Sequence, residues 1–151
     1  MKKISLLFLF VLFACSSDDS GGPKPATFNV DLLLRGWAYD KIGFDGLDDY
    51  PHNPYCNLDH FGFRNRETQE FQFEEVIYTA DYCASHQTFM RWEPDGDHVN
   101  FYFGKHYIGK MIIQEVTDTS LHCILEMDFN GDGDPDQQEV RAIPYDPYDS
   151  F

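Results

Sequence analysis

The chain has 151 residues and a net charge of −15, from 26 acids against 11 bases, with 42% hydrophobic residues and 17% aromatics. That length suits one domain, and 14 Phe, 9 Tyr and 2 Trp exclude disorder over most of it. So acidic a surface repels nucleic-acid phosphates and anionic lipid headgroups alike and favours cations as partners.

Lys2 and Lys3 precede an apolar run from Ile4 to Phe13 that contains one Ser. The run has the length of a signal-peptide core and falls short of the roughly 20 residues that span a bilayer. It ends in Leu12-Phe13-Ala14-Cys15, which resembles the bacterial lipobox. The resemblance implies cleavage after residue 14, with Cys15 acylated by chains such as palmitate. A small residue precedes the cut, and a thiolate is needed to form the thioether. The alternative is an ordinary secretory signal with a chance Cys. Removing residues 1–14 takes away two bases and no acids, moving the net charge from −15 to −17. Residues 15–26 contain SSDDSGGPKP and read as a flexible tether. Asp18-Asp19 resembles the surface-export signal of Bacteroidetes lipoproteins, without the Lys or Gln of its fuller forms; a plain solvated linker is the other reading. The expected location is the cell envelope, anchored to the outer membrane and exposed at the surface.

Residues 27–151 form the expected single domain. Asn29 to Leu34 reads as one helical turn. After it, apolar residues recur at every second position, the strand period. Phe61 and Phe63 alternate with Gly62 and Arg64, and Phe71 and Phe73 with Gln72 and Glu74. Val99, Phe101 and Phe103 follow the same rule, as do Leu121, Cys123, Leu125 and Met127. Turn signals at 94–97, 103–105, 117–119 and 130–133 separate the runs. The pattern predicts strands at 35–43, 58–65, 69–79, 87–93, 98–103, 107–116, 120–128 and 138–144. About eight strands joined by short turns make an antiparallel up-and-down meander, and closing it into a barrel removes the exposed edges.

The order of features resembles the lipocalin-like lipoproteins of Bacteroidetes. It comprises the lipobox, Gly36-Trp37, Cys56 ahead of Asp59-His60-Phe61-Gly62-Phe63, Cys83, Arg91-Trp92, the Pro94–Asp97 turn and an acidic hairpin from Asp128 to Glu139. The match covers roughly residues 31–145. Two features depart from it: Gly36 and Trp37 are adjacent where the family commonly has a residue between them, and Phe44 to Tyr55 is a long, acidic first loop. The resemblance implies a lipocalin-like barrel.

With Cys15 lipidated, Cys56, Cys83 and Cys123 remain. Cys56 and Cys83 lie at strand ends, whereas Cys123 lies mid-strand beside Leu121 and Leu125. The expected bridge is therefore Cys56–Cys83, with Cys123 a buried thiol that behaves as a small hydrophobe; three free thiols are the alternative.

Residues 128–139 satisfy D-x-[DN]-x-[DN]-G-x₅-E in full. Asp128, Asn130 and Asp132 offer side-chain oxygens, Asp134 a carbonyl, Asp136 a water-mediated contact and Glu139 two oxygens, a Ca²⁺ ligand set. The flanks alternate as strands, so the loop reads as a calcium hairpin between the last two strands and not as a helical EF-hand. An Asp/Gly turn chosen for geometry and solubility is the bland reading.

No catalytic motif occurs, and the chain reads as a non-enzyme. Glu74 and Glu75 are neighbours in a strand and point to opposite faces, so they cannot flank one bond. A bulge there is the expectation, with Glu75 as a pocket carboxylate the lesser reading. The six His show no metal spacing. Trp37, Phe61, Phe63, Phe71, Phe73, Trp92, Phe101 and Phe103 are candidates to line a cavity or fill a core, since an eight-stranded barrel does either. The leading expectation is a monomeric, lipid-anchored barrel for a small apolar or amphipathic ligand, braced by Ca²⁺. The alternative is a surface structural or interaction module with a filled core that meets a protein or glycan.

Overall fold

A computed structural model describes residues 22–66, 69–79 and 82–147. The signal peptide, Cys15 and most of the tether lie outside these residues, as does the side chain of Phe71. The elements are α1 (Val30–Leu33), β1 (Gly36–Gly43), β2 (Asp48–Asp49), β3 (His60–Arg66), β4 (Gln69–Tyr78), β5 (Ser85–Asp95), β6 (His98–Phe103), β7 (His106–Val116), β8 (Leu121–Met127) and β9 (Asp136–Pro144).

Strands β3 to β9 pair antiparallel in chain order, and β1 pairs with both β3 and β9, which closes an eight-stranded barrel. The fold is the up-and-down antiparallel barrel that the period-two pattern predicts. β2 is an addition: it pairs with Lys41 and Ile42 and extends the edge of β1 beyond β3. Pro94 and Asp95 belong to β5, not to a turn. Proline is tolerated there because β4 stops pairing at Arg91, so no partner on that side needs its N–H.

Bulges set which side chains face inward. The register shifts between Tyr39 and Lys41, leaving Asp40 outside, so Trp37, Tyr39 and Ile42 all meet the core. Glu74 and Glu75 carry no bulge; their pairing with Phe89 and Thr88 runs unbroken, and the bulge on this hairpin falls at Arg64/Arg66. Unbroken pairing sends Glu74 outward, where it meets Arg64 at 2.9 Å, and Glu75 inward.

The barrel has a closed and an open end. At the closed end, Asn29 caps α1 by accepting from the Asp31 N–H at 3.1 Å, and the helical turn presses Leu33, fully buried, into the barrel. Trp37 Nε1–H donates to the Leu33 carbonyl at 3.3 Å. Arg35 lies over the Trp37 ring and reaches the Asp118 carbonyl at 3.2 Å, tying the plug to the β7–β8 turn. Trp37, Phe63, Trp92 and Phe101 are fully buried, and Phe63 meets Trp92 edge to face at 5.2 Å. Residues 24–27 run along the β5–β6 hairpin at this end: the Lys24 N–H donates to Asp95 at 2.8 Å, and the Thr27 N–H to the Gly96 carbonyl at 2.7 Å.

At the open end the long first loop folds back on the barrel. β2 starts the return, with Lys41 and Asp49 paired at 2.6 Å. His52 then bridges two strands: Nε2–H donates to the Tyr39 carbonyl at 2.5 Å, and Nδ1 accepts from the Asp59 N–H at 3.1 Å. The Cys56–Cys83 disulfide joins this loop to the β4–β5 connection, and Cys123 is a buried free thiol, as expected. Burial pushes the Cys123 thiol far up.

Candidate functional site

The closed half of the barrel is filled by its own side chains. Toward the open end a cavity of 140 Å³ remains, lined by residues that include Tyr39, Tyr50, Phe61, Phe73, Glu75 and Phe101. Met90, Met111 and Met127 also line it, and Phe129, 44% exposed, sits at its mouth, edge to face with Phe44. Of the aromatics singled out from sequence, Phe61, Phe73 and Phe101 reach the cavity, whereas Trp37, Phe63 and Trp92 pack beneath it. Phe103 joins neither group. It ends β6 at the rim and is 67% exposed, because the strand runs past the packed layers into its turn.

The polar side chains lining the cavity are Tyr39, Tyr50, Glu75 and Gln138. The Tyr39 hydroxyl donates to Glu75 Oε1 at 2.5 Å, and the Tyr39 ring stacks on Tyr50 at 4.8 Å and tilts against Phe61 at 5.0 Å. Burial first, then the Glu75 carboxylate, pushes the Tyr39 phenol well above its usual range, so its hydroxyl stays a donor. Burial, then the Asp59 carboxylate, raises Tyr50 in the same way. Asp59, itself buried, accepts from the Tyr78 N–H at 2.6 Å and thereby ties the returning loop to β4.

Tyr39 was within reach of sequence reasoning, since it shares a face with Trp37 at spacing two. Tyr50 was not. It reaches the cavity only because the acidic loop folds back, with the Tyr50 N–H donating to the Asp40 carbonyl at 2.8 Å.

The acidic hairpin gathers part of its motif. Asp128 accepts from the N–H groups of Gly131 at 2.6 Å, Asp132 at 3.2 Å and Gly133 at 3.0 Å. Asn130 accepts from Asp132 at 2.9 Å, Asp132 from Asp134 at 2.9 Å, and Asp136 from Phe129 at 3.2 Å. These bonds curl the loop, with four of its five oxygen-bearing side chains accepting from its own backbone. Gly131 and Gly133, with φ of 79° and 95°, supply the left-handed backbone that such a curl requires. Glu139 stands apart, on β9, where its Oε1 lies 2.6 Å from His122 Nε2. Among the described residues, no three His, Cys, Asp or Glu side chains are grouped so as to hold a metal ion. The motif positions are thus present in sequence, but the strand pairing of β9 holds the closing carboxylate away.

No protein-family model matches the chain, and no curated protein shows significant similarity to it.

Proposed function

We propose that the protein is a monomeric, non-enzymatic binding barrel, held to the cell envelope by a lipid on Cys15, that takes a small ligand with an apolar body and one polar end. The observation that carries this reading is the open-end cavity, apolar on most walls and polar at Tyr39, Tyr50, Glu75 and Gln138. At 140 Å³ it is smaller than the ~300 Å³ of a drug-sized site. It is close to the ~150 Å³ engineered cavity that accepts benzene, so the enclosed body of the ligand is about the size of one benzene ring. Three methionines adapt the walls to an irregular shape. Calorimetry with a panel of aromatic and alkyl compounds of that size should find saturable one-to-one binding. Ile77→Phe, which fills the cavity, should abolish it; no binding by any member would remove the reading.

The anchor rests on Leu12-Phe13-Ala14-Cys15, and Asp18-Asp19 supports display on the outer membrane. Cys15→Ala should leave the protein without incorporated palmitate and outside the detergent phase. Continued acylation of that variant would overturn the assignment.

For the hairpin we propose weak Ca²⁺ binding by Asp128, Asn130, Asp132, the Asp134 carbonyl and Asp136, with Glu139 closing the shell once it leaves His122. In this role the ion braces the β8–β9 hairpin beside the mouth.

A second reading is favoured by the rim. Phe44, Tyr55, Tyr82, Phe103, Tyr107 and Phe129 are exposed at the open end, and such a ring of aromatics suits a protein or glycan partner. Binding of a partner that Ile77→Phe leaves intact would favour it.

A further inference from the structure

We propose that the cavity selects a small cationic amine on an apolar or aromatic body, with Glu75 as its counter-ion. This rests on the binding-barrel reading and names its ligand class. Among the described residues lining the cavity, Glu75 is the one acid, and no Lys, Arg or His accompanies it. This half-buried carboxylate has the Tyr39 hydroxyl as a partner but no base among the lining residues, and an entering cation supplies the missing charge.

The geometry suits an ammonium group. Tyr39 holds Glu75 Oε1 through its hydroxyl, so an incoming N–H bonds the second oxygen. The rings of Tyr50, Tyr39, Phe61 and Phe73 line the same cavity in a row, with neighbouring centroids 4.8, 5.0 and 5.7 Å apart. Aromatic faces attract a cation within about 6 Å, whereas they repel an anion. A neutral alcohol can bond Glu75 but gains neither attraction.

The approach favours the same charge. Asp45, Asp48, Asp128, Asp132 and Asp134 are exposed on the two loops flanking the mouth, and Lys41 beside them is already paired with Asp49. Against these five acids the β6–β7 turn brings one exposed base, Lys105, to the rim, and the acidic excess concentrates cations at the opening.

Three near-isosteres test this on the full chain by calorimetry: benzylamine, benzyl alcohol and benzoate. Benzylamine should bind at least tenfold tighter than benzyl alcohol, with benzoate weakest. Glu75→Gln keeps an acceptor for Tyr39 and should cut benzylamine affinity at least tenfold, to the level of the alcohol, while moving the alcohol less than twofold. Equal binding of amine and alcohol by the native chain, or a preference that survives Glu75→Gln, overturns the amine assignment and leaves the binding barrel standing. Binding of none of the three, nor of any compound in the wider panel, overturns both. The native comparison needs no variant, so a misfolded Glu75→Gln protein does not shield the proposal.

Discussion

Gly36 occupies the seam where the barrel closes, and its lack of a side chain is what the seam requires. The chain leaving β9 crosses directly over it: the Tyr145 N–H donates to the Gly36 carbonyl at 3.0 Å, and a Cβ at Gly36 would run into the Tyr145 carbonyl oxygen. Backbone cannot move aside as a flexible side chain does. Gly36→Ala should therefore destabilise the protein by about 1–3 kcal/mol, the usual range for overpacking. Thermal unfolding checks this; a melting temperature within a degree of the native value would show that the seam gives way freely. Trp37 beside it explains the pair: one residue lets the returning strand pass, and the next fills the closed end. The adjacent glutamates teach a similar lesson. Their opposite fates, Glu74 on Arg64 outside and Glu75 on Tyr39 inside, follow from strand parity alone. The bulge expected between them is absent, and the Tyr39 hydroxyl satisfies the inward carboxylate.

Among the elements, the first loop and the last hairpin depend on different devices. The Cys56–Cys83 bridge, at a separation of 27 residues, closes a loop worth about 3.6 kcal/mol in the chain-entropy estimate. Replacing both by Ser should cost up to that amount in denaturant unfolding. Equal midpoints for the two proteins would mean that β2, His52 and Asp59 hold the loop unaided. The hairpin has no covalent brace. If Ca²⁺ binds only the folded state, it stabilises by about 2.7 kcal/mol at one hundred times its Kd, and extracellular loops bind at roughly 10⁻⁴ to 10⁻³ M. Glu139→Gln preserves a hydrogen-bonding partner for His122 while removing the bidentate charge. It should leave stability in chelator within about 0.5 kcal/mol of native, as expected of a surface pair, and abolish most of the gain at several millimolar Ca²⁺. No gain in the native protein would leave a turn built for its geometry.

The strands were legible because one face of each is buried, which writes alternation into the chain. β2 was not, since two residues carry no period and pair only after the loop has turned back. The cavity was half legible. Phe61, Phe73 and Phe101 follow strand parity, whereas Ile42 lies on the wrong parity until the bulge at Asp40 corrects it. Tyr50 depends on a hydrogen bond across the sheet edge that no local pattern encodes.

At the scale of the whole molecule, the docking of residues 24–27 along the β5–β6 hairpin acquires a directional meaning. The polypeptide emerges from the plugged end, opposite the aromatic mouth. On the lipidated reading, the nine residues 15–23 can place that end at most about 32 Å from the bilayer. The longest strands have 11 residues, roughly 36 Å of rise before tilt. The molecule is then moored by its base like a cup on a short stem. Its opening looks outward into the medium, and the exposed acids of its mouth lie on the side away from the anionic headgroups. A fluorophore on Thr119→Cys should be dimmed by a quencher carried on lipid headgroups, and one on Asp132→Cys should stay bright; equal dimming would mean that the cup lies on its side. Cargo would then be exchanged with the surrounding fluid and not drawn from the membrane, because the mouth of the barrel faces away from it.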